Sequence, residues 1–230
     1  SKDVFLNWMP LDHVGGIQMM VNSAVSACAN LILCKPEFIL ADVTRWLSII
    51  QGYKVTFTWA PNFAFAQLLE EKERILQTGY DLSSLRHWLT GGESVSAQIN
   101  QQLYELLKPF GLDNNCIRPA YGMSETCSGI THALDFDAVN IGLNHIVKSS
   151  LNGELKYRTN PGSDTVSLVE VGPPLPGVNI RIVDKENSLM SENQIGRLQV
   201  SGPIITQGYL NNYEANENLL KDGWFNTGDL

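Results

Sequence analysis

Along its first half the chain alternates short apolar runs with longer amphipathic stretches. Val4–Trp8, Leu31–Cys34, Val55–Trp59 and Leu85–Leu89 are short, apolar or aromatic, and bounded by turn or polar residues. Runs of that length read as buried strands. Between them, Ile17–Ala29 is small and apolar, which suits a buried helix. Phe38–Ile50 places Phe38, Val43, Trp46, Leu47 and Ile50 near helical spacing, with Gly52 as the stop. Phe63–Gln77 gathers Phe65, Leu68, Leu69, Ile75 and Leu76 on one face, with Gly79 just beyond. Ser96–Lys108 reads as a helix with Ser96 as N-cap and Ile99, Leu103, Leu106 and Leu107 inward. A β-like run, Asn115–Arg118, follows. Strand and helix alternating on this period predict an α/β fold, a mainly parallel sheet flanked by helices with right-handed crossovers.

Past about residue 135 the rhythm changes. Asp135–Asn152 is polar, contains glycine and has no clear period, so it reads as a linker or exposed loop. Short alternating runs then recur at Glu154–Arg158, Val166–Val169, Asn179–Val183 and Leu198–Ser201, separated by Pro, Gly and Asn turns. That is the pattern of a small antiparallel β-barrel-like subdomain. Asn212–Leu220 reads as one short helix before a Trp224–Phe225 strand. The expected organisation is an α/β subdomain over 1–134, a linker over 135–152 and a β-rich subdomain over 153–230.

Composition narrows the function. A net charge of −8 over 230 residues, with no Lys/Arg cluster, argues against a nucleic-acid surface. No apolar run approaches the roughly 18 residues of a membrane span, and no signal peptide precedes Ser1. Cys28, Cys34, Cys116 and Cys127 lack any Cys-x-x-Cys spacing and read as reduced core residues of a cytoplasmic protein.

The densest chemistry lies in Pro119–Thr131, directly after the β-like run. Open α/β sheets bind ligands at the carboxyl ends of their strands. Tyr121 offers a flat face for a base, and Gly122 lets backbone approach closely. Ser124 and Thr126 offer hydroxyls, and Glu125 offers a carboxylate for Mg²⁺ beside phosphates. A surface turn with a helix cap accounts for the same residues.

Tyr121-Gly122-Met123-Ser124-Glu125-Thr126 resembles the aromatic-Gly-x-Ser/Thr-Glu motif of the adenylate-forming enzymes: acyl-CoA synthetases, fatty-acyl-AMP ligases and assembly-line adenylation domains. Gly196-Arg197-Leu198, Ser201-Gly202-Pro203 and Gly208-Tyr209-Leu210 resemble the family's Gly-Glu-Leu…Gly…Gly-Tyr stretch. Asp222–Leu230 matches its Gly-Trp-Phe-x-Thr-Gly-Asp-Leu motif. The resemblance implies ATP and Mg²⁺ as cofactors, a small carboxylic acid as substrate, and CoA or a carrier-protein phosphopantetheine as acceptor. It implies an acid–thiol ligase that forms acyl-AMP and then passes the acyl group on.

Residue by residue, the resemblance makes Glu125, Ser124 and His13 catalytic, with Glu125 the Mg²⁺ ligand. It makes Gly91, Gly92, Glu93, Ala120, Tyr121, Gly122, Met123 and Asp229 nucleotide contacts, Asp229 holding the ribose hydroxyls. The glycine pair would leave room for the planar base, and Cys127–Thr131 would line the acyl pocket beside His13. His13 in Trp8–Gly16 also reads as a cap on a helix from Gly15. Amino-acid-activating domains carry an aspartate within Phe-Asp-x-Ser, whereas here Asp12 is followed by His13-Val14. The substrate expected is therefore an acid without an α-amino group. An amino-acid-activating domain and a non-catalytic nucleotide-binding module are the alternatives. The family's phosphate loop and its C-terminal lysine find no match, so the chain reads as a central fragment, inactive alone. The long spacing from Glu125 to Gly172-Pro173 favours an assembly-line domain or fatty-acyl-AMP ligase. His87, His132, His145 and Glu70–Glu73 with Arg74 lack motif support and read as solvated.

Overall fold

In the computed structural model, residues 2–137, 142–217 and 219–230 are described. The apolar runs become the strands of one sheet: β1 (Val4–Asn7), β2 (Asn30–Leu33), β3 (Phe57–Trp59), β4 (His87–Thr90) and β5 (Ile117–Tyr121). They are parallel and ordered β2-β1-β3-β4-β5, and β6 (Thr131–His132) closes the edge antiparallel to β5. On one face Trp8, Trp46, Phe65 and Trp88 form the centre of the core. Trp46 meets Trp88 edge-on at 4.8 Å and Trp8 at 5.2 Å, and Phe65 meets Trp88 at 5.2 Å, a geometry aromatic quadrupoles favour. The Trp46 indole N–H donates to Thr58 Oγ1 (3.1 Å), whose hydroxyl donates to the Leu6 carbonyl (2.9 Å). The other face buries Phe5, Met20, Ala24, Trp59 and Leu89.

The helices depart from their expected lengths. Over 17–29 a π-helical segment, Gly15–Asn22, runs into the single turn α1 (Ser23–Ser26). Burial is confined to Gly15, Gly16, Met20 and Ala24, while Val25 is 70% exposed. The helix expected over 38–50 is two, α2 (Pro36–Leu40) and α3 (Thr44–Tyr53). The Asp42 carboxylate causes the break by accepting from both the backbone N–H (3.1 Å) and the hydroxyl (2.7 Å) of Thr44. Gly52 lies inside α3, and Lys54 in a left-handed conformation ends it. The stretch 63–77 likewise divides into α4 (Asn62–Glu70) and α5 (Lys72–Thr78). The turn at Glu71 aims Ile75 into the core and leaves Leu76 half exposed. Helix α6 (Ala97–Leu107) follows expectation, its Ile99 N–H donating to the Ser96 hydroxyl at 3.3 Å.

Residues 135–152 are more than a linker. Phe136 is buried, and β7 (Leu143–Val147) is the middle strand of a three-stranded antiparallel sheet with β8 (Tyr157–Arg158) and β9 (Thr165–Val169). Positions 138–141 of that stretch lie outside the described residues. The second antiparallel sheet, ordered β10-β11-β13-β12, contains β10 (Asn179–Val183), β11 (Arg197–Ser201), β12 (Leu220–Lys221) and β13 (Trp224–Asn226). A short helix α7 (Tyr213–Glu217) precedes β12; position 218 of the helix expected over 212–220 is outside the described residues, as is Ser1. The β-rich half is thus two small antiparallel sheets. Val178, Val200, Ile205, Leu219 and Phe225 pack its core around Ile130, a residue of the loop after β5.

Two smaller expectations change as well. No disulfide joins the four cysteines, but Cys116 alone is fully buried, whereas Cys28 and Cys127 are exposed turn residues with φ of 48° and 53°. His87 and His132 are half-buried on β4 and β6 rather than solvated, and His145 Nδ1 lies 2.8 Å from the Ser167 hydroxyl. Among the described residues, no helix is long and apolar enough to cross a membrane.

Candidate functional site

The carboxyl ends of β3, β4 and β5 converge on two cavities with a common wall. The first, about 330 Å³, is lined by His13, Trp59, Thr90, Ser124, Glu125 and Gly129 among others. The second, about 520 Å³, is lined by Glu93, Leu168, Val171 and Asp229 among others. Gly92, Ala120, Tyr121 and Gly122 belong to both. Of these two cavities, Gly91 and Met123 line only the first.

The loop after β5 is held by its own backbone. A Cβ at Gly122 would lie 1.6 Å from the Ser128 carbonyl oxygen. The chain closes on itself through Ser128 N–H to Met123 O (3.1 Å) and Ile130 N–H to Tyr121 O (2.8 Å). Cys127 and Ser128 adopt φ of 53° and 96° to complete the turn. Thr126 is unavailable to a ligand, because it is fully buried and its hydroxyl donates to Met123 O (3.0 Å) and accepts from Met123 N–H (3.3 Å). Ser124 is exposed on the same turn and, with Ser128, Gly129 and His13, lines the first cavity. Of the stretch expected to line the acyl pocket, Ile130 instead faces the second core.

Glu125 is held from two sides by the segment that precedes α7. Its backbone carbonyl accepts from Thr206 N–H at 2.7 Å, and its Oε1 accepts from the Tyr209 hydroxyl at 2.8 Å. That hydrogen bond raises the Tyr209 phenol above its ordinary pKa. Asp229 is positioned similarly: its Oδ2 accepts from the Tyr121 hydroxyl at 2.5 Å, and its N–H donates to Thr227 Oγ1 at 3.1 Å. Burial, and then the Asp229 carboxylate, push the Tyr121 phenol well up.

His13 caps and lines at once. Its Nδ1 accepts from Gly15 N–H at 3.0 Å, so a neutral ring carries its proton on Nε2. The ring lies nearly parallel to Trp59, centroids 6.3 Å apart, at the wall of the first cavity. Asp12 is exposed and does not line that cavity. Glu93 borders the second cavity, but its Oε1 accepts from Phe63 N–H at 2.8 Å and so caps α4. Gly91 is also constrained by the neighbouring strand, where a Cβ would strike the Ala120 carbonyl oxygen at 2.4 Å.

Sequence reasoning missed Trp59, Val14 and Met19 in the first cavity, and Leu168 and Val171 in the second. Trp59 carried a signal, as an aromatic residue at the carboxyl end of a strand; the others read as ordinary apolar positions. Arg181 and Arg197, two of the cations of the β-rich half, are engaged elsewhere. Arg181 lies over the Trp224 ring at 4.2 Å, and Arg197 donates to the Asp184 carbonyl at 2.7 Å.

The family described as AMP-binding enzyme matches residues 1–210. A Mycobacterium tuberculosis protein named as a ligase is 35% identical over 236 residues, covering 100% of this chain and 42% of that protein. The solved adenylation domain of a keto acid-selecting nonribosomal peptide synthetase module, bound to a keto acyl adenylate, is 39% identical. Its TM-score is 0.96, with 99% of this chain and 43% of that chain covered. A second solved structure, McyG A-PCP complexed with phenylalanyl-adenylate, is 37% identical at TM-score 0.86, covering 99% of this chain and 32% of that one. The chain thus spans less than half the length of these relatives.

Proposed function

From the premise that this chain belongs to the AMP-binding enzyme family, we propose that it forms the acyl-adenylate pocket of an ATP-dependent ligase whose acid has no α-amino group. The carrying observation is the pair of cavities joined at Gly92 and Ala120–Gly122, which gives separate ends to an acyl group and a nucleoside. Adenine lies against Tyr121 and the Gly91–Gly92 backbone, and the ribose hydroxyls donate to Asp229 in place of, or beside, the Tyr121 hydroxyl. The acyl group occupies the cavity of His13, Trp59 and Gly129, where the Nε2–H of a neutral His13 is a donor for an acyl oxygen.

Glu125 is the one acidic side chain lining the first cavity among the described residues, and Tyr209 engages it. With that carboxylate assigned to the metal, no second acidic side chain lines the cavity to pair an ammonium group, which supports a keto acid, the class selected by the relative of 39% identity. No group of three or more His, Cys, Asp or Glu gathers among the described residues. A single carboxylate nevertheless fits Mg²⁺, which binds through one or two carboxylates plus substrate phosphates. Glu125 is the residue to hold it, and Ser124 stands beside it to donate to a phosphate oxygen. When bound, the ion supplies neutralising charge for the phosphates. The carboxylate substrate is itself the nucleophile, so no general base is required.

The acceptor is a thiol, CoA or a carrier-protein phosphopantetheine; the A-PCP relative supports the carrier. That relative's phenylalanyl-adenylate also supports the alternative of amino-acid activation. A non-catalytic nucleotide module would have no use for Glu125. The test is pyrophosphate exchange by a full-length protein containing this chain, screened with keto acids, fatty acids and amino acids. Keto acid-dependent exchange is expected. An α-amino acid preferred tenfold over its keto analogue, about 1.4 kcal/mol, would overturn the substrate reading.

A further inference from the structure

Tyr209 lies on a segment without regular structure, and its phenol reaches 84 positions back along the chain to Glu125. Two side-chain contacts fix where that phenol sits. The Asn216 amide on α7 grips the Tyr209 backbone at both ends: Tyr209 N–H donates to Asn216 Oδ1 at 2.7 Å, and Asn216 Nδ2 donates to Tyr209 O at 2.8 Å. Asn216 is in turn anchored by its own N–H to Asn212 O at 3.1 Å. Three residues before Tyr209, Thr206 N–H holds the Glu125 backbone at 2.7 Å. The phenol side of Glu125 opens on a separate cavity of about 230 Å³, bounded by Met123, Tyr209, Leu219 and Phe225. Glu125 therefore stands in the wall between that cavity and the acyl cavity. A flexible carboxylate in such a wall has two directions to point, and one donor decides between them.

We propose that Tyr209, clamped by Asn216, is a positioning residue that orients the Glu125 carboxylate toward a divalent cation in the first cavity. The inference rests on the adenylation reading of that site and adds residues to it. With Oε1 occupied by the phenol, Oε2 is left as the metal-facing atom, and the carboxylate loses the rotational freedom that would otherwise oppose metal binding. Tyr209→Phe keeps the ring and its packing and removes the single donor. Asn216→Asp keeps the acceptor for Tyr209 N–H and removes the donor to Tyr209 O, so the ring is freed without touching Glu125.

The experiment uses a full-length protein containing this chain and two readouts. Mn²⁺ binding to the enzyme–ATP complex is followed by electron paramagnetic resonance, and pyrophosphate exchange by rate against Mg²⁺ concentration. For Tyr209→Phe we expect Mn²⁺ affinity and exchange rate to fall roughly 10- to 150-fold, the range for one hydrogen bond to a charged group. Metal-free ATP binding should stay within about twofold, which a general loss of structure would not allow. Asn216→Asp should show the same pattern at smaller size. Mn²⁺ bound by Tyr209→Phe as tightly as by the wild type would overturn the proposal, whatever the exchange assay gives. An inactive wild type whose Mn²⁺ affinity still depends on Tyr209 would overturn the adenylation reading and leave the positioning role supported.

Discussion

The sharpest consequence of the loop geometry concerns Gly122. A methyl group there would lie 1.6 Å from Ser128 O, 2.6 Å from its carbonyl carbon and 2.9 Å from Gly129 Cα, all backbone atoms. Real contacts of this kind essentially never fall below 3.0 Å, so Ser128 must retreat by at least 1.4 Å, which is 3.0 less 1.6. That movement strains the bonds from Ser128 N–H to Met123 O and from Ile130 N–H to Tyr121 O. Overpacking costs about 1–3 kcal/mol and each hydrogen bond about 1 kcal/mol, so Gly122→Ala should destabilise by about 3–5 kcal/mol if the loop stays closed. If the loop yields instead, Ser124, Glu125 and Gly129 shift by more than an ångström, and misplacement of that size costs about 10²-fold in rate. The assay pairs chemical denaturation with pyrophosphate exchange in a full-length protein. Gly52→Ala is the control, since a methyl group there meets nothing within 4 Å and, within α3, should stabilise by about 0.5–1 kcal/mol. A Gly122→Ala protein with wild-type stability and an exchange rate within twofold would refute the reasoning.

Other expectations are briefer. Asp229→Ala should weaken ATP binding by about 1.5–3 kcal/mol by calorimetry, the range for hydrogen bonds to a charged group; unchanged affinity would remove its ribose role. Trp46→Ala should cost about 3–5 kcal/mol in chemical denaturation, because the ring is fully buried against Trp8 and Trp88 and donates to Thr58. His87 is lowered from 6.5 to about 4, first by burial and then by the charges of Arg118 and Arg86. Between those values the unfolded chain binds the proton that the folded one refuses, so stability falls as pH drops from 6.5 to 4. The slope is at most about 1.4 kcal/mol per pH unit, less after solvent screening. Denaturation midpoints across that range should flatten in His87→Gln, and an unchanged pH dependence would count against the assignment.

What the sequence determined by itself was whatever is written locally. Four apolar runs and the β-like run Asn115–Arg118 were enough for the parallel sheet, because strands covered by helices on both faces are mostly apolar along their length. The motif around Tyr121–Thr126 pointed to the strand ends where the two cavities lie, because a ligand there needs glycine, hydroxyl and carboxylate close together. Tertiary structure decided the rest. Leu143–Val147 is a strand because β9, some twenty residues on, supplies its hydrogen-bond partners; its own sequence, Leu-Asn-His-Ile-Val, buries a single residue and shows no clear period. Thr126 reads as a free hydroxyl until the turn folds it onto Met123. Glu93 reads only as a nucleotide contact, and the structure adds its cap on the Phe63 N–H of α4. The pairings Tyr121–Asp229 and Tyr209–Glu125 cross 108 and 84 positions. Local pattern records what each backbone segment prefers, whereas these contacts exist only because the topology carries distant segments to the same strand ends.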